Sequence, residues 1–261
     1  MHVGHLRALV LTNVLARQLG GSYFVRFEST DAANQGPGAR TSIVQDLAWL
    51  GLSVTEPPHD QSAMKGSYRE ALGQLDASGQ LYRDGEAIRF RIPSTDSVAW
   101  DDLVRGRVVV NNTDLYDPVL VRSDGTPTFF LAGTVDDIDD EVTHFIRPDA
   151  SLRSTAMQYR LWQALNLTAP RSGHIPLVLR SDGKPIALGD HEYTIKALRE
   201  SGISPTAIVV YLAMPQTASW KTPPTSLDQL LGRIDFARLS RRPLRFDTGA
   251  LERLAGRLSR T

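Results

Sequence analysis

The sequence predicts an α/β fold that carries a small α+β insertion and ends in a helical region, and three observations lead there. The first fifty residues alternate helix, strand, loop and helix. Between residues 70 and 128 the texture changes to short strand-like runs joined by turn sequences. From Glu192 onward the periodicity is helical, punctuated by Pro205, Pro215, Pro223, Pro224 and Pro243.

Leu6–Leu19 reads as the first helix: Leu6, Val10 and Val14 share a face with Leu11 and Leu15 beside them, a stripe wide enough for deep burial. Gly20-Gly21 stops it. Ser22–Glu28 alternates β-favouring residues and reads as a strand with Ser29, Thr30 and Asp31 at its carboxyl end. Asn34–Gly38 is a loop, and Ser42–Leu50 a helix stopped by Gly51, an order that predicts parallel pairing. A helix near Ser67–Ser78 precedes strand-like runs at Ile88–Ile92, Arg107–Val110, Pro118–Arg122 and Pro127–Ala132. The parallel texture returns with strand Val142–Arg147, helix Ser151–Leu165 and strand Ile175–Arg180. Arg-Ser-Asp-Gly occurs at 122–125 and again at 180–183, a turn used twice rather than a repeat period. A sheet of this kind normally opens with a buried strand that delivers the first loop, and this sequence starts at that loop. Either that strand is missing or a later segment takes its place; the expectation is that Met1 is not the natural start of the domain.

Composition narrows the function. Of 261 residues, 41% are hydrophobic and 22% charged, which excludes wholesale disorder. No apolar run approaches the roughly 18 residues of a membrane span, and no basic-then-apolar leader precedes Leu6–Leu15, so a cytoplasmic monomer without a membrane partner is expected. The absence of cysteine excludes a disulfide framework and a thiolate zinc site. Asp136, Asp137, Asp139, Asp140 and Glu141 crowd five carboxylates into six positions, a pattern open to a magnesium site or a solvated turn, and no metal site is expected. Net charge is zero, against a generic grip on nucleic acid. Yet Arg233–Arg260 holds eight arginines against Asp235, Asp247 and Glu252, and arginine outnumbers lysine 25 to 4. That tail is either a phosphate-contacting surface or a solvated helical end.

His2-Val3-Gly4-His5 stands at the mouth of the first helix, where glycine permits close approach and the helix end favours phosphate. Alone, the tetrapeptide equally describes exposed terminal histidines; its neighbours decide. His2–Arg7 resembles the HIGH signature of the class I aminoacyl-tRNA synthetases, and Phe24–Asp31 resembles the F-x-x-R-I-E-D-T-D strand of their glutamyl-tRNA synthetase branch. Asp46–Leu52 is similar to that branch's W-L-G-L helix end, Asp101–Gly106 to D-D-L-V-R-G, and Leu120–Thr128 to L-R-S-D-G-x-P-T. Val135-Asp136-Asp137 with Val142–Arg147 resembles V-D-D…V-T-H-V-I-R-G, and His174–Leu177 resembles H-L-P-L. These matches are colinear over residues 2–190.

The resemblance implies a Rossmann-type catalytic domain over 1–69 and 129–190, a connective insertion for the tRNA acceptor end over 70–128, and a helical stem-contact region over 191–261. It implies a truncated paralogue that stops where the anticodon-binding domain would begin. The family's short relative, the glutamyl-queuosine tRNA-Asp synthetase, ends similarly but usually carries a cysteine-rich zinc site that this chain cannot form. The implied reaction is activation of glutamate or a relative by ATP, with Mg2+, and transfer to the tRNA acceptor arm. By the same resemblance His2, Gly4, His5, Ile186 and Ala187 contact ATP, Lys184 assists catalysis, Glu28 holds the substrate ammonium, and Arg147 pairs with its side-chain carboxylate. Arg241, Arg242 and Arg245 fall in the stem-contact region.

Departures from the pattern bear on activity. Phe129 stands for a substrate-contacting tyrosine and Gly133 for an asparagine, which should weaken glutamate selection or change the amino acid. In the KMSKS-type loop, Pro185 and Leu188 stand for two lysines and Ala187 for a serine, leaving Lys184 as a partial substitute; His191 and Lys196 are nearby but read as surface residues. Losing one transition-state charge typically costs about 10²–10³ in rate. Three readings therefore stay open: an amino-acid-activating enzyme that charges tRNA, a non-catalytic descendant that binds nucleotide or tRNA, and an activating enzyme with another acceptor.

Overall fold

A computed structural model describes residues 1–27, 38–52, 61, 63–187, 189–214 and 224–259. Helix α1 (Val3–Gln18) begins three residues earlier than its apolar stripe predicts, because the His2 imidazole caps it, accepting the Gly4 N–H at Nδ1 (3.1 Å). Val3, Leu6, Val10, Leu11 and Val14 are fully buried. Helix α2 spans Ala39–Trp49. The strand expected over Ser22–Glu28 does not form across its described part, residues 22–27. That segment and residues 142–147 line a cleft of about 410 Å³, with Leu9 and Leu15 of α1 and Leu19 just past it, and no described strand ladders with it. Glu28, Ser29, Thr30 and Asp31 lie outside the described residues.

Helix α3 (Gly66–Ala77) leads into an antiparallel sheet, order β1-β2-β5, of Leu81–Asp84, Ala87–Phe90 and Val119–Val121. Between its strands lies a hairpin of β3 (Ser97–Asp102) and β4 (Gly106–Asn111), paired from Ser97↔Asn111 to Asp102↔Gly106. Sequence reading missed β1 and β3: β1 is a short run ending in two charges, and β3 ends in Asp101-Asp102. The strand expected at Pro127–Ala132 is instead the start of α4 (Phe129–Asp139). Pro127 bridges Val121, and the Thr128 hydroxyl caps the helix by accepting the Phe130 N–H (3.3 Å).

Strands β6 (His144–Pro148) and β7 (Arg171–Ile175) pair in parallel around the crossover helix α5 (Leu152–Ala164). The expected strand Ile175–Arg180 breaks at Pro176, which has no N–H for a ladder, and resumes as β8 (Val178–Leu179). Its partner β9 (Leu244–Arg245) lies inside the region expected to be wholly helical. Helices α6 (Ile195–Glu200), α7 (Pro205–Ala213), α8 (Leu227–Leu231) and α9 (Thr248–Leu258) supply the rest. One hydrophobic cluster gathers α1, α2 and α6–α9, centred on α7, whose Ala207, Ile208, Val210, Leu212 and Ala213 are fully buried. A second joins α3, β2, β5, α4 and α5 through Tyr68, Phe90, Leu120, Leu131 and Leu161. Each fully buried aliphatic side chain contributes about 1.5–3 kcal/mol.

The β3–β4 hairpin is fastened to β7 by one buried carboxylate. Asp102 Oδ1 accepts N–H groups from Val104 (3.0 Å), Arg105 (2.9 Å) and His174 (3.0 Å). Its Oδ2 accepts the Ser172 hydroxyl (2.9 Å) and lies 2.6 Å from His174 Nδ1. The far imidazole nitrogen meets the Thr155 hydroxyl at 3.0 Å. The order aspartate, imidazole, hydroxyl resembles a catalytic relay, but Thr155 and His174 are fully buried, so this is a structural lock. Burial alone would raise the Asp102 pKa; the hydrogen bonds from His174, Arg105 and Val104 outweigh it and hold the carboxyl well below the usual range.

Since the folded pKa lies below the unfolded value of roughly 3.9, the stabilisation is complete above that pH and is lost as pH falls through and below it. Replacing Asp102 by Asn puts an amide donor against donors. The variant should lose about 3 kcal/mol at pH 7 and show a shallower acid limb. Urea melts from pH 7 to 3 check both, and an unchanged acid limb would remove Asp102 from the account.

Candidate functional site

Two groups of polar residues meet at the carboxyl ends of β6 and β7, the end at which open parallel sheets present their sites. The first is the opening turn of α1. His2 spends Nδ1 on the Gly4 N–H, which leaves its Nε2–H to point outward as a donor. The His5 ring stacks on it at 3.9 Å between centroids. Burial first, then the neighbouring imidazole and the Met1 ammonium, lower the His2 pKa to about 4, with Asp190 opposing; burial and the ammonium lower that of His5. Both are therefore neutral donors at pH 7. A β-bridge from His2 to Thr194 and an Ile195 N–H to Met1 carbonyl bond (3.0 Å) fix the turn against α6. Behind it, Arg7 is 1% exposed and donates to the carbonyls of Pro176 (3.1 Å) and Leu212 (3.3 Å). Burial brings its pKa down to about 10, so it stays charged.

The KMSKS-like loop leaves β8 beside this turn: a β-carbon on Gly4 would lie 4.0 Å from Val178 Cβ. The repeated tetrapeptide makes the same turn twice. Arg122 and Arg180 each donate an N–H four residues on, to Thr126 and Lys184 (both 2.8 Å), with Gly125 and Gly183 at φ 82° and 86°. Asp124 and Asp182 accept the N–H two residues later, and Pro127 and Pro185 each bridge back. Within the second turn Arg180 pairs with Asp182 (3.5 Å) and Asp190 (3.1 Å), and Asp190 also accepts the Ala187 N–H (2.8 Å). Lys184, 77% exposed, reaches Asp182 at 4.0 Å. Ile186 is half-buried and Ala187 exposed, while Leu188 lies outside the described residues.

The second group surrounds Arg147, near the end of β6 and on the wall of the cleft. Its guanidinium lies over the rings of Phe145 (4.3 Å) and Phe129 (5.3 Å), donates to Gln158 Oε1 (2.5 Å), and stands 3.9 Å from Asp137. Asp137 in turn holds Arg26 at 2.5 Å, and Arg26 also reaches Asp140 at 3.3 Å, which makes Arg26 a structural residue. Gly133 faces the same space: a β-carbon there would lie 3.1 Å from Gln158 Nε2 and 3.3 Å from Phe129 Cε2. The Phe129 ring and the Gln158 amide thus fill the volume that a larger residue at 133 would occupy. Gln158 is fully buried, and its Nε2 has no hydrogen-bond partner. Sequence reading missed it; its only signal was a polar residue on the apolar face of α5, four residues before Trp162.

The three tail arginines separate. Arg241 donates to the Val104 carbonyl (3.3 Å), Arg242 is exposed, and Arg245 lies against Gly183. Asp136, fully buried, accepts Tyr68 (2.8 Å), Gln61 (2.8 Å) and Lys65 (3.1 Å). Among the described residues no cluster of three His, Asp or Glu side chains forms that could hold a metal ion. A Mg2+ accompanying ATP would rest on the nucleotide's phosphates rather than in a protein cage. No described helix is long and apolar enough to cross a membrane.

The family model for class I tRNA synthetases (E and Q), catalytic domain, matches residues 1–87 and 84–238. The chain is 29% identical over 294 residues to the glutamate–tRNA ligase of Janthinobacterium sp. (strain Marseille), covering 97% of this chain and 64% of that protein. It is 30% identical over 284 residues to glutamate–tRNA ligase 2 of Coxiella burnetii (strain Dugway 5J108-111), covering 95% and 61%. The chain thus spans less than two thirds of these curated relatives. In structure it resembles the glutamate-tRNA synthetase of Elizabethkingia anophelis, with TM-score 0.85, 22% identity, and 97% of this chain and 67% of the other covered. It also resembles the glutamate tRNA ligase of Elizabethkingia meningosepticum CCUG26117 in complex with its amino acid, with TM-score 0.81, 22% identity, and 97% and 66% covered. With a family match running across most of its length and the histidine turn and Arg147 at the carboxyl ends of its parallel strands, the chain belongs to the class I tRNA synthetases of the E and Q group, through their Rossmann-type catalytic domain.

Proposed function

We propose that this protein activates an amino acid, glutamate or a relative, with ATP and transfers it to tRNA. One arrangement carries the reading: neutral imidazoles at the α1 N-terminus, which Arg7 ties to the residue after β7, and a guanidinium clamped on aromatic faces near the end of β6. In this reading the substrate's carboxylate oxygen bonds to the α-phosphorus of ATP as the bond to pyrophosphate breaks. The aminoacyl group then moves to a tRNA hydroxyl with release of AMP. His2 Nε2–H and His5 donate to phosphate and ribose oxygens, Gly4 lets the nucleotide come close to the backbone, and the helix end favours negative charge. Ile186 and Ala187 line the nucleotide from the loop, with Lys184 near its phosphates. Arg147 reads a side-chain carboxylate and Gln158 fixes its orientation, while the role of Glu28 at the ammonium rests on the resemblance alone. Arg241 and Arg242 face the acceptor arm.

ATP–pyrophosphate exchange against all twenty amino acids, with and without tRNA, tests this directly. Exchange with glutamate is expected, and silence with every amino acid would overturn it. ATP binding without exchange would favour the non-catalytic descendant, a reading supported by Pro185 and Ala187 in the loop and by an exposed Lys184 already facing Asp182. Activation without transfer would instead favour another acceptor.

Two sets of variants sharpen the assignment. Arg147→Met should raise the glutamate KM at least about 100-fold, because a charged side chain would be left unpaired. Gln158→Leu keeps the volume but frees the guanidinium, and should raise that KM about 10-fold with the ATP KM unchanged. Arg241→Gln with Arg242→Gln should weaken tRNA binding and lower the slope of log K against log salt by about one per lost phosphate contact. An unchanged slope in filter-binding titrations would leave Arg242 on the solvated surface and Arg241 as a clamp on the Val104 carbonyl alone.

A further inference from the structure

We infer that Arg245 supplies the positive charge on the pyrophosphate leaving group that the KMSKS-like loop lacks. The inference rests on the nucleotide reading above and removes Arg245 from the tRNA-contacting set in which the sequence placed it.

The strand register fixes where this side chain points. Leu179 pairs with Arg245 in the parallel β8–β9 ladder, and the Phe246 N–H donates to the Leu179 carbonyl (2.8 Å). Leu244 and Phe246 on either side are buried, 8% and 1% exposed, so alternation turns Arg245 to the opposite face, where the turn 180–185 lies. There its guanidinium packs against Gly183: a β-carbon on that glycine would meet Nη2 at 3.3 Å, Cζ at 3.5 Å and Nε at 3.9 Å. Glycine at 183 therefore serves both the left-handed φ of 86° and the approach of this arginine.

The other arginine and lysine side chains described beside the loop each have a carboxylate within 4.0 Å. Arg180 lies between Asp182 and Asp190, Lys184 faces Asp182, and Lys196 pairs with Glu200 at 3.9 Å on α6. His2 and His5 are neutral donors. Arg245 pairs with no carboxylate among the described residues, and it stands on the turn whose strand passes Gly4 at the mouth of α1. When the substrate carboxylate attacks the α-phosphorus, the bond from phosphorus to the α–β bridging oxygen breaks. Its electron pair stays on that oxygen, and pyrophosphate departs with no proton transferred. A guanidinium binds such an oxygen pair in bidentate fashion, which a single lysine cannot do.

The test compares affinities for ATP and for AMP, which lacks the β- and γ-phosphates, by calorimetry on the full chain. Wild type should prefer ATP. Arg245→Gln should lose at least about 10-fold in ATP affinity with AMP affinity unchanged, Arg245→Lys should recover part of it, and Arg257→Gln on α9 should match wild type. Where exchange is measurable, Arg245→Gln should lower its kcat by about 10²–10³. Thermal midpoints should be equal, since the side chain is exposed. Retention of the ATP preference in Arg245→Gln would overturn this inference alone. A wild type that binds neither nucleotide would overturn the nucleotide reading and this inference with it.

Discussion

Everything about the site's placement depends on the corner at residues 102–106 being held against β7. Asp102 takes five polar contacts there, two from its own corner and three from Ser172 and His174, in a space without water access. A carboxylate buried this deeply is tolerated only because every one of those donors is present. The same corner is gripped twice more, by the Arg105 ion pair with Asp149 and by Arg241 on the Val104 carbonyl. Since Asp149 follows directly on β6, the corner fixes the ends of both parallel strands at once. Arg147 and the opening turn of α1 inherit their positions from it.

The site divides its work between neutral and charged donors. At the α1 mouth, partial burial and a neighbouring ammonium make protonation of the histidines unfavourable, so they offer directional hydrogen bonds without adding charge. At the cleft wall, Arg147 is held by two aromatic faces, one amide oxygen and an ion pair with Asp137 at 3.9 Å, which together orient its charge. The Phe129 and Gly133 departures belong together in this light. A tyrosine-sized ring plus a side chain at 133 would compete with Gln158 for one volume, and here the amide occupies it.

Much of this was legible in the sequence, unevenly and for physical reasons. The α1 stripe, the α5 crossover and the doubled Arg-Ser-Asp-Gly turn are local matters, set by periodicity and by glycine's access to positive φ, and they read correctly. Ser22–Phe27 looked like a strand because propensity sees only the chain itself, whereas a ladder needs a neighbour. Pro127–Ala132 looked like a strand because its apolar run is too short to show a period, and one hydroxyl at Thr128 decides for helix. Residues 244–245 look like the end of a helical tail until β8 appears beside them. Among site residues, those implied by the resemblance to the synthetase family were named from their motifs. Gln158 could not, because its meaning comes from Arg147, eleven positions and one crossover away. Arg245 was grouped with Arg241 and Arg242 because composition shows that a segment is basic and says nothing of which side of a strand each residue faces.

Arg7 has a consequence for rigidity. A charged side chain buried among carbonyls ties the first turn of α1 to the end of β7 and to α7, so that turn cannot shift without exposing the charge or stripping its acceptors. The turn from Arg180 to Lys184 is held differently, by exposed ion pairs and by the two-residue ladder at its base. Of the two, the histidine turn is therefore the fixed reference, and the exposed turn beside it has far less to break before it can adjust.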